Sequence, residues 1–103
     1  MINKFNVEVI QAVTNKVAGI DILFNAVGTV TILQKQYCWT YYVVDEMPVA
    51  RIAVDGEWYC ILSELEDEEV AGFEEVDVDA LHEYIEDAID SNFIAAGKSF
   101  ARA

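Results

Sequence analysis

Thirteen carboxylates and not one lysine or arginine lie between Glu64 and Asp90, and this run limits the possible folds more than any other feature. Unpaired charges cannot be buried together at that density. The run must therefore lie on the surface, over a core built largely from the rest of the chain. The other acids are Glu8, Asp21, Asp45, Glu46, Asp55 and Glu57, and the bases are Lys4, Lys16, Lys35, Arg51, Lys98 and Arg102. These two sets cancel, so the formal charge of −13 belongs wholly to residues 64–90. Acidity that served solubility alone would be spread over the surface. Here a nearly neutral body carries a concentrated negative segment whose self-repulsion costs stability, and a binding role would offset that cost.

The body has the means to fold. With 103 residues, 54% of them hydrophobic, the chain suits one domain with its own core. Residues 2–18 are expected to form a helix. Ile2, Phe5, Val9, Val13 and Val17 recur at helical spacing, and Gly19 stands where a helix would stop. Phe5, Val7 and Val9 also alternate as in a strand. Residues 20–62 read as antiparallel strands. Ile20, Ile22 and Phe24 alternate, Gly28 marks a turn before Thr29–Ile32, and Tyr37–Val44 is rich in strand formers. Asp45-Glu46-Met47-Pro48 reads as a turn, and Asp55-Gly56 as a two-residue hairpin.

That hairpin implies a register. It pairs Ala53 with Trp58 and Arg51 with Cys60; carried through the preceding turn, it pairs Arg51 with Tyr42 and Ile52 with Tyr41. Tyr37, Trp39, Tyr41, Val43, Ala50, Ile52, Val54, Tyr59 and Ile61 then share the core face. Cys38, Thr40, Tyr42, Val44, Val49, Arg51, Ala53, Trp58, Cys60 and Leu62 share the other, which needs a cover: the first helix or a second subunit. Residues 64–76 read as an acidic loop pinned by Val70 and Phe73. Residues 78–95 read as an acidic amphipathic helix with Asp77 or Asp79 as its cap. Its stripe is Leu81, Tyr84, Ile85, Ala88, Ile89, Phe93 and Ala96, and Gly97 is its stop. The predicted class is α+β: an antiparallel sheet of four to five strands with an N-terminal helix and an acidic C-terminal helix.

The acids fall into two groups. Asp79, Glu83, Glu86 and Asp90 follow one another at intervals of four, three and four on the helix face opposite the stripe, with Asp87 beside them. At about 1.5 Å rise per residue they step roughly 4.5–6 Å along the axis, a scale comparable to phosphate spacing on a nucleic-acid strand. Any amphipathic helix turns something polar outward. Ordinary exposed helices, however, mix signs and gain i,i+4 pairs, and this one has no lysine. The loop adds Glu64, Glu66, Asp67, Glu68, Glu69, Glu74 and Glu75. It lacks the Asp-x-Asp-x-Asp-Gly pattern of a calcium loop.

Other chemistries find little support. Cys38 and Cys60 form no C-x-x-C pair, and their strands stand two spacings apart, about 9–10 Å, too far for a disulfide. His82, the single histidine, has Asp79 and Glu86 at helical reach and reads as a boundary residue beside carboxylates. No phosphate loop, nucleophile elbow or clustered Ser/His/Asp set occurs, so no enzyme, metal or cofactor is expected. Direct binding to nucleic acid or an anionic membrane is disfavoured by charge. No apolar run spans a bilayer or resembles a secretion signal, so the chain reads as cytoplasmic.

In size and in the charge pattern of residues 64–90, the chain resembles small acidic phage-encoded inhibitors of host defence, such as anti-CRISPR and anti-restriction DNA mimics. The resemblance implies an inhibitor, and not an enzyme, that presents an acidic, nucleic-acid-like surface to the basic groove of a nucleic-acid-handling protein. Trp58, Tyr42 or Phe73 would supply an apolar anchor. Two alternatives stay open. One is an immunity protein that neutralises a basic toxin. The other is a small oligomeric structural protein with incidental acidity, dimerising through the second sheet face.

Overall fold

The computed structural model describes residues 2–44, 47–65 and 67–95. Asp45 and Glu46 of the expected turn, Glu66, Ala96, the Gly97 stop and the Lys98–Ala103 tail lie outside that set, as does the Phe93 side chain. The strands are β1 (Asn6–Val17), β2 (Ile20–Ile32), β3 (Lys35–Val44), β4 (Met47–Val54) and β5 (Glu57–Cys60); the helix is α1 (Val78–Ala95). The five strands form one antiparallel meander in the order β1-β2-β3-β4-β5. The class is α+β, and α1 covers the range marked by the sequence periodicity.

The expected N-terminal helix over residues 2–18 is not present; most of that segment is β1. The reason lies in its pairing with β2. The register slips between Val9 and Gln11 and again between Val13 and Thr14. The first slip is a β-bulge that leaves Ile10 of β1 without a partner and breaks the strict two-residue alternation there; the second places the extra residue on β2. Apolar residues on a bulged strand recur at irregular intervals and imitate a helical stripe. The four valines of β1, with Ile10 and Thr14, favour the strand. Gly19 ends no helix. With φ of 53° at Ala18 and 82° at Gly19, the pair forms the β1–β2 turn, the backbone that two-residue hairpins require.

Gly28 is not a turn either. It sits mid-strand in β2, between Val9 of β1 and Trp39 of β3. The fully buried Trp39 indole lies over it, and Trp39 Nε1 donates to the Thr29 carbonyl at 2.9 Å. A Cβ at position 28 would stand 2.5 Å from Trp39 Cζ2 and would also strike the Glu8 carbonyl oxygen. Only glycine leaves room for the ring.

The Asp55-Gly56 hairpin pairs Ala53 with Trp58 and Arg51 with Cys60, as expected. The β3–β4 register differs. Ile52 pairs with Trp39, and Arg51 with Thr40. Val44 already pairs with Met47, so the turn is two residues shorter than the four predicted, and Met47-Pro48 belong to β4. A shift of two residues preserves side-chain parity, so the face assignments survive. Trp39, Tyr41, Ala50, Ile52, Val54 and Ile61 are buried, and Tyr37, Val43 and Tyr59 pack beside them.

The chain after β5 lies over this same core face. Leu65, Val70, Phe73 and Val76 from the acidic loop join the core, as do Leu81, Ile85 and Ile89 from α1. Phe73 meets Tyr37 edge-on at 5.1 Å, and Tyr84 meets Phe5 at 5.6 Å. Successive backbone bonds fold the loop into turns: Glu68 to Glu64, Val70 to Leu65, Phe73 to Val70, and Val76 to Phe73. Ile2 ties the loop to the N-terminus. Its N–H donates to the Glu75 carbonyl, and its own carbonyl accepts the Asp77 N–H. Asp77 caps α1, its Oδ1 accepting the Ala80 N–H at 3.1 Å. Among the described residues, no element covers the outer face of the sheet. Trp58 is 48% exposed there and Ile10 69%.

Two substitutions test these constraints. Gly28→Ala should lower unfolding free energy by about 3 kcal/mol through overpacking at the Trp39 ring, read by chemical denaturation. The β2–β3 turn holds Leu33 and Gln34 at φ of 49° and 67°, where side chains are strained. Gln34→Gly should therefore raise stability by about 1 kcal/mol.

Candidate acidic interface

Apolar residues interleaved with the acids determine where the carboxylates stand. On α1, Leu81, Ile85 and Ile89 face the sheet, which turns Asp79, Glu83 and Asp87 outward into solvent. Glu86 and Asp90 lie at the flank and are half-buried. In the loop, burial of Leu65, Val70, Phe73 and Val76 leaves Asp67, Glu68, Glu69, Glu74 and Glu75 exposed. Loop and helix cover the same sheet face, so both groups of acids form the outer surface of one layer. The opposite sheet face carries Glu8 and Arg51 as its charged side chains among the described residues, so the charge is segregated by side.

Lys35 does not fold over this layer; it approaches Asp55 at 3.9 Å and lies over the Tyr37 ring at 5.3 Å. Among the described residues no lysine or arginine pairs with Asp67, Glu68, Glu69, Glu74, Glu75, Asp79 or Glu83. The field extends to β5. Glu57 accepts the Tyr59 hydroxyl at 2.7 Å, and this bond holds the phenol above its ordinary 10.0, with desolvation and the charges of Glu57, Glu68 and Asp55 adding to the effect.

Two predicted site residues also have internal work. Glu64 is half-buried and accepts the Cys60 N–H at 2.8 Å, which caps the end of β5. Glu86 accepts the Tyr41 hydroxyl at 2.7 Å through Oε2, and its Oε1 lies 3.4 Å from His82 Nδ1. His82 is buried, and its Nε2 has no hydrogen-bond partner among the described residues. Tyr41, Glu86 and His82 therefore form a polar contact beneath α1 that joins helix to sheet. The i,i+4 spacing of His82 and Glu86 hinted at half of it. Tyr41, 45 residues from Glu86, could come only from the folded chain.

The candidate anchors separate. Trp58 and Tyr42 belong to the outer sheet face, away from the acids, whereas Phe73 is a core residue beneath them. Phe73 also lines a cavity of about 390 Å³ in the acidic loop, walled by Leu65, Val70 and Val76 with Glu69 and Glu74 beside it. Nothing in the linear spacing of these residues marks that cavity. Cys38 and Cys60 are free thiols on β3 and β5, with β4 between them. Among the described residues, no group of three or more His, Cys, Asp or Glu is placed to hold a metal ion, and no helix is long and apolar enough to cross a membrane.

The Tyr41 contact makes a measurable demand. Tyr41→Phe removes a hydrogen bond to a carboxylate with little change in volume. Loss of about 1.5–3 kcal/mol is expected in denaturant melts, with far-UV circular dichroism unchanged at rest.

No family model, no curated protein and no solved structure matches the chain.

Proposed function

We propose that this protein is a binding inhibitor that presents its acidic layer to the Lys/Arg-lined groove of a nucleic-acid-handling protein, such as a CRISPR or restriction effector. The observation that carries the reading is the segregation of charge. The exposed carboxylates of 64–90 form one layer over a packed core, while among the described residues the other side of the sheet carries only Glu8 and Arg51 as charged side chains. A rigid array of like charges suits a groove that normally receives phosphates. Long-range attraction would make association fast and sensitive to salt. Immunity to a basic toxin shares this physics and differs only in the partner. The open sheet face, with Trp58 and Ile10 exposed, favours a second reading: a small oligomer whose acidity is incidental. That reading expects a dimer in solution and no retention of basic proteins.

Asp79 and Glu83 are the residues to reverse, because both are exposed and neither is part of the Tyr41–Glu86–His82 contact. The double Lys variant should keep its melting transition and lose at least about 100-fold in affinity for purified CRISPR or restriction effectors. Wild-type affinity should fall by a similar factor between about 50 and 200 mM salt, and effectors preloaded with nucleic acid should not bind. Retained inhibition by the reversed variant, or affinity indifferent to salt, would rule the mechanism out.

A further inference from the structure

We infer that the cavity in the acidic loop is a receptor for one arginine side chain of the basic partner. The inference rests on the binding role proposed above and deepens it by naming what the surface grips. The cavity carries the argument, since acids alone would attract any cation diffusely. Leu65, Val70, Phe73 and Val76 are each at least nine-tenths buried and wall a space of about 390 Å³, within the size range of ligand sites. Glu69 and Glu74 stand among these walls and are exposed. One oxygen of Glu74 accepts the Gly72 N–H at 3.1 Å, which holds the carboxylate in position. The turns that shape the loop and the Ile2 bridge to Val76 form the cavity within the chain's own fold.

A cavity lined by both apolar side chains and carboxylates selects its occupant by chemistry. An anion is repelled by the whole segment. A neutral apolar group fills the space but leaves the lining carboxylates without a counter-charge. A small hydrated cation meets the carboxylates but gains nothing from the walls. A side chain with an apolar stem and a cationic head satisfies both parts. Arginine suits it better than lysine: its guanidinium is planar and weakly hydrated, offers several donors to carboxylates, and tolerates contact with an aromatic ring such as Phe73. The same contact supplies what charge alone lacks, a buried component that slows dissociation.

The test is an NMR titration of the full chain with three probes: a blocked Gly-Arg-Gly peptide, the same peptide with norleucine, and guanidinium ion alone. The arginine peptide should shift the amides of Val70, Gly72, Phe73 and Val76 saturably, and bind at least about tenfold tighter than either other probe. Glu69→Gln with Glu74→Gln should weaken it about tenfold, whereas Asp79→Asn with Glu83→Gln should change it less than about twofold. Shifts spread evenly along α1, equal binding of guanidinium, or an unchanged affinity in the Glu69/Glu74 variant would overturn the receptor. Those failures leave the electrostatic reading standing. That reading fails separately, if the charge-reversed α1 variant still inhibits.

Discussion

The position of the exposed acids in the 64–90 segment follows from the one-sided burial of the residues between them. Leu65, Val70, Phe73, Val76, Leu81, Ile85 and Ile89 are drawn onto one sheet face, and full burial of such side chains stabilises by roughly 1.5–3 kcal/mol each. An exposed like-charge pair at about 4 Å repels by about 1 kcal/mol in water and less in salt. Apolar anchoring therefore outweighs repulsion locally, and the carboxylates are carried to the surface as a layer. Backbone turns and the Ile2 bridge hold that layer in shape.

The sheet can support it because of how its centre is packed. Trp39 lies against Gly28 with its indole N–H satisfied by the Thr29 carbonyl, so a large ring is buried without an orphaned donor. Tyr41, two residues on, remains on the same face and reaches Glu86. Alternation along β3 thus places one aromatic side chain in the core and the next where it can hold the helix. The acids serve two purposes. Glu64 and Glu86 are half-withdrawn and join elements, and the exposed ones make the surface.

Much of this was legible in the chain. Residues Val78–Ala95 showed a helix by periodicity, and the Asp55-Gly56 dipeptide showed its hairpin and register. The two faces were assigned correctly although the β3–β4 pairing was shifted by two, because parity depends only on whether a shift is odd or even. The N-terminal segment misled because the bulge at Ile10 disguised a strand as a helix. Gly28 misled because glycine marks close approach as well as turns, and its partner Trp39 stands eleven residues away on another strand.

By itself the sequence determined the charge: how much, where along the chain, and with which apolar residues interleaved. Those are properties of composition and local spacing, and no fold alters them. Tertiary structure decided that loop and helix cover the same sheet face, that Tyr41 meets Glu86, and that the loop walls enclose a cavity. Each depends on residues far apart in the chain brought together by strand pairing and packing, and neither periodicity nor propensity carries that information.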